Sequence, residues 1–439
     1  MRILFVTNPF RAHLYVQVPL AWALRGAGHE VCVAGPPDMA EAIAHTGLPG
    51  VSVGEVLALE EKMAQAAPSD APIRMAQGAS GGEPAGPCDP RGLRTGKSVQ
   101  SDYGWGDPHI ELEDFTAGVR AVFFPDSAFE DLVEFARAWR PDLIVTDPTA
   151  FPGAVAARVV GAAHARMLWS VDRVAQLRAA CRPRLGAEGD PMRDWLQPIL
   201  ERHGCGFDEE TVLGQWTISP SPPWIWQPEG MHYLPVRNMA FNGPSITPRW
   251  VHERPARRRV CITQGLSHRD ATIGGGSSTH DLLEAVAGLD VEVIATLNAD
   301  QLGSATLPDN VRAVDFVPLN SLLPTCSALV HEGGTGAFAG ALEHAVPQIV
   351  VPNDFKVEKW GGPLAMAHGL ERRGAGVYVG NSGTLTADAL HDGLKLLLED
   401  PSYAENAARI RTEVRMMPSP NDIVPALEKL TAEHRVPRP

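Results

Sequence analysis

Two short stretches of the chain carry side chains whose types and spacing suit chemistry. The first is His331-Glu332-Gly333-Gly334-Thr335-Gly336, which follows an apolar run at Ser327–Val330 and precedes a helix-compatible run at Ala337–Ala345. A second buried-type strand, Gln348–Val351, comes next. A strand, a glycine turn and a helix N-terminus form an anion site, because free backbone N–H groups converge there and the helix dipole favours negative charge. Gly333, Gly334 and Gly336 let the backbone approach a phosphate, and His331 at the strand's end is placed to donate a hydrogen bond to it. Many glycine turns bind nothing, so this one is a weak signal alone.

The second stretch is the loop after the first strand, Thr7-Asn8-Pro9-Phe10-Arg11-Ala12-His13-Leu14. It is not a GxGxxG dinucleotide fingerprint. His13 stands where a strand-end loop enters a helix, the place where chemistry gathers in α/β proteins. An imidazole can take a proton from a hydroxyl at neutral pH, although a lone histidine is more often a helix-cap or surface residue. Asp147 follows the strand Asp142–Thr146 and has three readings. It can orient and stabilise an imidazolium, act as the base itself, or cap a helix that begins at Ala150. Thr263, Gly265 and Ser267, in the loop that closes the strand Val260–Thr263, offer further hydroxyl and amide donors.

These residues need strand ends to hold them, and the pattern along the chain supplies them. Strand-like Ile3–Val6 and Glu30–Ala34 flank a helical period at Val16–Arg25, and a helix is expected at Asp38–His45. The pattern returns as Asp142–Val145, helix Ala150–Val160 and strand Ala165–Trp169. It returns again from Val260 through Leu282–Ala287, Val291–Ala295, Val311–Val314 and Gln348–Val351. Strands alternating with helices argue for parallel, doubly wound sheets. Residues 66–108 are rich in Gly, Pro, Ser and Ala and are expected to form a long flexible loop over the first domain. The Pro- and Trp-rich stretch from Ile218 to Pro255 is expected to connect two domains.

The chain has 439 residues, enough for two domains, and its 44% apolar content suits a large core. Its 38 Lys and Arg against 52 Asp and Glu leave a net charge of −14, which argues against nucleic acid and anionic membrane surfaces as partners. No run reaches the length of a membrane span, and MRILFVTNPF lacks the long apolar core of a signal peptide. Six scattered cysteines without a CxxC are expected to be reduced, in a cytoplasmic protein without a metal cluster.

A larger block surrounds the histidine–glycine turn. Phe316-Val317-Pro318, Leu322-Leu323-Pro324, the turn itself and Val350-Val351-Pro352 together resemble the donor-binding segment of family 1 glycosyltransferases. His13-Leu14, Val18-Pro19-Leu20-Ala21-Trp22-Ala23-Leu24, Arg140-Pro141-Asp142, Met167-Leu168-Trp169, Gly214-Gln215-Trp216-Thr217-Ile218 and Asn242-Gly243-Pro244 extend the resemblance. The match covers almost the whole chain. It points to bacterial antibiotic glycosyltransferases of the desosaminyl- and daunosaminyltransferase type, which put deoxysugars on macrolide and anthracycline aglycones.

The resemblance implies an α/β fold of two Rossmann-like domains facing a cleft (GT-B type), with the C-terminal helix packing back on the N-terminal domain. The expected divisions are an acceptor domain at 1–225, a linker at 226–255, a nucleotide-sugar domain at 256–415 and a tail helix at 416–439. It implies an inverting transfer in which His13, assisted by Asp147, takes the acceptor's proton. Phe316 would stack on the nucleobase, and the Val317 backbone would meet the pyrimidine edge. Thr263, Gly265, Ser267, His331, Gly333, Gly334, Thr335 and Gly336 would hold the diphosphate. Phe10, Phe123, Phe124 and Trp169 would line the acceptor pocket.

One departure bears on the sugar. Lys356 and Val357, with Asp354 nearby, stand where many relatives place an acidic residue and a glutamine toward sugar hydroxyls. A valine cannot bond a hydroxyl, which fits a deoxysugar. The chain has no Asp-x-Asp pair to hold a divalent cation on a diphosphate, so the expected site uses dipole and amides in place of a metal, with no cofactor. The resemblance also brings a P450-like activator protein as an expected partner and leaves a homodimer open. Two other functions stay open on the same fold: a nucleotide-sugar 2-epimerase, and a non-catalytic binder of nucleotide sugars or glycosides.

Overall fold

The computed structural model describes residues 1–59, 107–265, 278–303, 305–352 and 362–436. Short apolar runs make the strands, and nearly all side chains of the inner strands of the first sheet are buried, as expected for parallel strands covered on both faces. Seven of them, β1 (Arg2–Val6), β2 (Glu30–Gly35), β3 (Gly50–Ser52), β4 (Leu143–Thr146), β5 (Ala163–Met167), β6 (Trp216–Ser219) and β7 (Tyr233–Pro235), form one sheet in the order β3-β2-β1-β4-β5-β6-β7. Every pairing in it is parallel.

The second sheet holds β8 (Arg258–Thr263), β9 (Val291–Thr296), β10 (Val311–Val314), β11 (Cys326–His331), β12 (Gln348–Val350) and β13 (Gly376–Val377), in the order β10-β9-β8-β11-β12-β13. It too is wholly parallel. Both sheets reverse their winding direction once, between β1 and β4 and between β8 and β11. At such a point the flanking loops part and leave a crevice at the strands' carboxyl ends. The Thr7–His13 loop follows β1 and Asp147 follows β4. Thr263–Gly265 follows β8 and the histidine–glycine turn follows β11. Both candidate stretches therefore sit at a switch point.

The C-terminal helix Val424–His434 returns to the first domain. Ile423, Val424, Leu427 and Leu430 bury themselves among Ile3, Phe5, Val145 and Ala165 of the first sheet. The end of the chain is tied down by Arg435 to Asp142 at 2.6 Å and by the Val436 amide donating to the Gly161 carbonyl at 3.0 Å. The preceding helix Pro401–Arg415 packs in the second domain, beside Phe338 and Leu342.

The first domain ends later than expected. Tyr233–Pro235 pairs with β6, so the sheet runs past residue 225 into the stretch read as linker. A three-residue strand that ends in a proline leaves no visible period. Trp224, before the expected boundary, already rests on Phe338 of the second domain at 5.9 Å between ring centres. Of the expected 66–108 loop, residues up to 106 lie outside the described ones, and Pro108 begins a helix, Pro108–Val122. The first long helix starts at Arg11 instead of Val16. No helix among the described residues is long and apolar enough to cross a membrane.

A buried ion pair fixes the loop after β5. The Arg166 guanidinium grips Asp172 through both nitrogens, at 2.9 and 2.6 Å, and donates to Thr217 and to the Leu213 carbonyl as well. Tyr233 of β7 donates its hydroxyl to the same carboxylate at 2.9 Å. The two charged side chains are 1% and 0% exposed. Removing one partner from such a pair strands the other charge away from water. Asp172→Ala is therefore expected to lower stability by about 3–5 kcal/mol, and the double change with Arg166→Met to recover most of that, as read in urea melts.

Candidate active site

Phe10 is the N-cap of the helix Arg11–Gly26, and the His13 and Leu14 amides both donate to its carbonyl. His13 therefore lies in the first turn, beside the end of β4. Its Nδ1 is 2.7 Å from Asp147 Oδ2, with the two side chains 11% and 1% exposed. The other carboxylate oxygen, Oδ1, accepts from the Thr149 amide at 2.9 Å and from the Thr149 hydroxyl at 2.6 Å. Two of the three readings of Asp147 fall away. The helix Phe151–Val160 has Ala150 as its N-cap, with no side-chain cap. A carboxylate this deeply buried, with both oxygens engaged, is badly placed to meet a substrate. It accepts the Nδ1 hydrogen, and of the two neutral tautomers this contact selects the one with its lone pair on Nε2, the form a base needs.

Aromatic rings hold the imidazole on its open sides. Trp169 stacks on it at 4.1 Å and 29°, and Phe10 lies tilted against it at 5.5 Å. Phe10 meets Phe123 edge-on at 5.6 Å, and Phe123 meets Phe124 at 6.4 Å. Phe123 and Phe124 are both buried and line a largely apolar pocket with Val6, Thr7, Pro36 and Leu57. That pocket lies at the ends of β1 and β2, and the Phe123–Phe10 contact connects its wall to the histidine. Its lining suits an apolar molecule.

Across the cleft, the turn after β11 is held open by two devices. Gly333 has φ +87°, and a Cβ there would fall 2.1 Å from Pro363, so only glycine fits. The Gly333 amide donates to His331 Nδ1 at 3.1 Å. With Nδ1 accepting, the ring hydrogen lies on Nε2 and goes to Gln348 Oε1 at 2.9 Å. His331 is buried, and burial pushes its pKa down to about 4, so the ring is neutral. The expectation that His331 donates to a phosphate is thus corrected. Both ring nitrogens are used within the protein, and the residue sets the shape of the turn. The partner that turns it inward, Gln348, comes from β12 and is recognisable only once the strands are paired.

The helix Thr335–His344 starts from Gly334 with no side-chain cap on its first-turn amides. Gly334 and Gly336 are exposed, with nothing within 4 Å of where a Cβ would stand. The Thr335 hydroxyl is buried without a hydrogen-bond partner among the described residues. An uncapped helix end beside an unpartnered hydroxyl can take an anion. Thr263 sits below, its hydroxyl receiving hydrogen bonds from Thr296 at 2.7 Å and from the Gly265 amide at 3.2 Å, so it shapes its loop. Phe316 follows β10 and is 39% exposed, whereas Val317 beside it is buried. An exposed ring on a buried footing offers a flat face for stacking. Ser267, Asp354 and Lys356 lie outside the described residues.

A short loop joins the two halves. After Trp169, Ser170 and Val171 share a pocket with Thr335 and Phe338 of the second domain. The Val171 side chain lies so close to Gly362 that a Cβ there would be 2.6 Å away. The residue stacked on His13 is thus two positions from Val171, which shares a pocket with Thr335 of the glycine turn. The sequence offered no sign of this bridge. It did carry a sign for Thr149: Asp147-Pro148-Thr149 has the form of an Asx turn, in which the side chain binds the backbone two residues on.

Two family models match this chain. One describes the N-terminal domain of erythromycin biosynthesis protein CIII-like proteins and matches residues 22–86 and 93–265. The other describes the C-terminal domain of the same family and matches residues 280–430. The chain belongs to the erythromycin biosynthesis protein CIII-like family. It is a CIII-like glycosyltransferase, and its two facing α/β domains are the GT-B fold. The aclacinomycin-T 2-deoxy-L-fucose transferase of Streptomyces galilaeus is 47% identical to it, covering 99% of this chain and 97% of the relative. The 10-deoxymethynolide desosaminyltransferase of Streptomyces venezuelae is 40% identical over 100% of this chain and 99% of its own. The crystal structure of the glycosyltransferase VinC in complex with dTDP superposes with a TM-score of 0.81 at 34% identity, covering 99% of this chain and 100% of that one.

The buried histidines of this CIII-like chain set a pH dependence. His164 in β5, bonded to Thr146 and to the Glu210 carbonyl, is pushed by burial to about 4, as His331 is. Above pH 6.5 neither ring distinguishes folded from unfolded chain. As pH falls from 6.5 toward 4, the unfolded chain takes protons that the folded rings refuse, so stability is lost in that window. Urea midpoints at pH 7, 5.5 and 4 are expected to fall in that order, with a shallower fall in His331→Gln.

Proposed function

We propose that this protein is an inverting, metal-independent glycosyltransferase that moves a deoxysugar from a dTDP-sugar to an apolar polyketide-type aglycone or its glycoside, in antibiotic or other secondary-metabolite biosynthesis. The observation that carries this is the His13–Asp147 pair, at the mouth of the first sheet and joined by the Trp169–Val171 loop to the uncapped helix end of the second. The names of the relatives support a deoxysugar, and the dTDP bound to VinC supports a thymidine donor.

His13 Nε2 takes the proton of the acceptor hydroxyl, and Asp147 stabilises the imidazolium that forms. The hydroxyl oxygen attacks the anomeric carbon from the face opposite the diphosphate, which inverts the configuration. The diphosphate leaves toward the Gly334–Gly336 amides and the Thr335 hydroxyl, where the helix dipole meets its growing charge. Phe316 stacks on the thymine, with the Val317 backbone at its edge. Asp354 and Lys356 border the sugar. Phe10, Phe123 and Phe124 shape the acceptor pocket, and Trp169 also presses on the base. The unpaired cysteines Cys32, Cys181, Cys205, Cys261 and Cys326 suit a cytoplasmic enzyme. A P450-like activator protein as partner is carried by the family resemblance.

Calorimetric titration with thymidine diphosphate, UDP and ADP, each with and without EDTA, is expected to show preferential thymidine diphosphate binding that the chelator leaves unchanged. Binding that needs a divalent metal, or no binding of any of the three even with the activator present, overturns the proposal. His13→Ala is expected to bind thymidine diphosphate as the unaltered protein does while transferring sugar about 10²–10⁴-fold more slowly. Undiminished transfer by His13→Ala would remove the base from the mechanism.

A further inference from the structure

We propose that Thr149, itself held by Asn8, is a positioning residue that fixes Asp147 and through it the tautomer of His13; the proposal rests on the His13–Asp147 pair acting as the base. Four side chains form one line of hydrogen bonds, from Asn8 Nδ2 to Thr149 Oγ1 at 2.8 Å, from Thr149 Oγ1 to Asp147 Oδ1 at 2.6 Å, and from His13 Nδ1 to Asp147 Oδ2 at 2.7 Å. Asn8, Thr149 and Asp147 are 1%, 5% and 2% exposed, so water does not compete for these groups.

Counting hydrogens fixes the direction of every bond. An ionised carboxylate only accepts. The threonine hydroxyl has one hydrogen, and its 2.6 Å contact is the length of an O–H···O⁻ bond, so that hydrogen goes to Asp147. Asn8 must then give an amide hydrogen to the threonine oxygen, which turns its Oδ1 the other way. That Oδ1 is buried without a partner among the described residues. A buried oxygen left unbonded is costly. The orientation of Asn8 therefore costs stability, and what it gains is a donor aimed at Thr149.

The consequence falls on the carboxylate. Thr149 holds Oδ1 from two sides, by amide and by hydroxyl, so the carboxylate cannot swivel and Oδ2 stays in line with His13 Nδ1. Without the hydroxyl, one oxygen is half released, and the imidazole can settle with its hydrogen on Nε2. That tautomer presents a donor to the acceptor hydroxyl where the base needs a lone pair.

Thr149→Val keeps the shape and removes the hydroxyl, and Thr149→Ser keeps the hydroxyl. Nitrogen-15 histidine spectra of the full chain report the tautomer without any substrate, with the His13 signals assigned by their loss in His13→Gln. The unaltered protein is expected to show hydrogen on Nδ1. Thr149→Val is expected to raise the Nε2-hydrogen form and to lower kcat for transfer from a dTDP-deoxysugar by roughly 10–100-fold, with KM for both substrates within about twofold. Thr149→Ser is expected to restore both. A Thr149→Val protein with an unchanged spectrum and kcat overturns the proposal. So does an equal loss in both variants accompanied by an equal fall in melting temperature. If Asp147→Asn leaves tautomer and transfer intact, the base pair itself fails, and the proposal with it.

Discussion

A carboxylate almost wholly withdrawn from water, Asp147, is the constraint on which the active half of the molecule depends. A buried charge is tolerated only when donors surround it. Here the donors are an imidazole, a hydroxyl and a backbone amide, and each stands just beyond the end of a central strand. The strand order supplies this meeting. β1 and β4 are neighbours although more than a hundred residues separate them, so the loop after one faces the loop after the other. The apolar cluster beneath, with Leu4, Val6, Ile144 and Phe151, keeps water from reaching the charge from below.

The second domain solves an opposite problem with the same topology. There the end of β11 leads into a turn that faces the cleft with its first-turn amides uncapped by a side chain. His331 belongs to the structure of that turn. Its ring is kept neutral by burial, and its two nitrogens fix the geometry in one direction, from Gly333 through the ring to Gln348. A charged histidine could not accept from Gly333, so the depressed basicity and the open turn are one feature. Between the domains, the Arg166–Asp172 pair anchors the loop that carries Trp169 and Val171, and so ties His13 to the second domain.

Much of this was legible in the sequence, and the rest was hidden for physical reasons. The alternation of strands and helices, the two domains, and His13, Asp147 and the glycine turn as points of interest followed from period and composition, because burial writes apolar runs into parallel strands. The role of Asp147 among its three readings did not follow, since it depends on which strand lies beside which. His331 was misplaced for a similar reason: whether a strand-end side chain points to ligand or to its neighbour is decided by the partner strand. The strand Tyr233–Pro235 is not legible because three residues ending in a proline show no alternation. Phe316 was picked out by resemblance, and its exposure is the one property that a sequence of apolar neighbours would have hidden.

Gly362 lies with φ +61° directly against Val171, and no larger residue fits between them. That contact acts as a spacer of fixed thickness between the lobes. It limits how closely the two domains approach at this point, and a methyl group on Gly362 would press on Val171 and on the loop that carries Trp169 to His13.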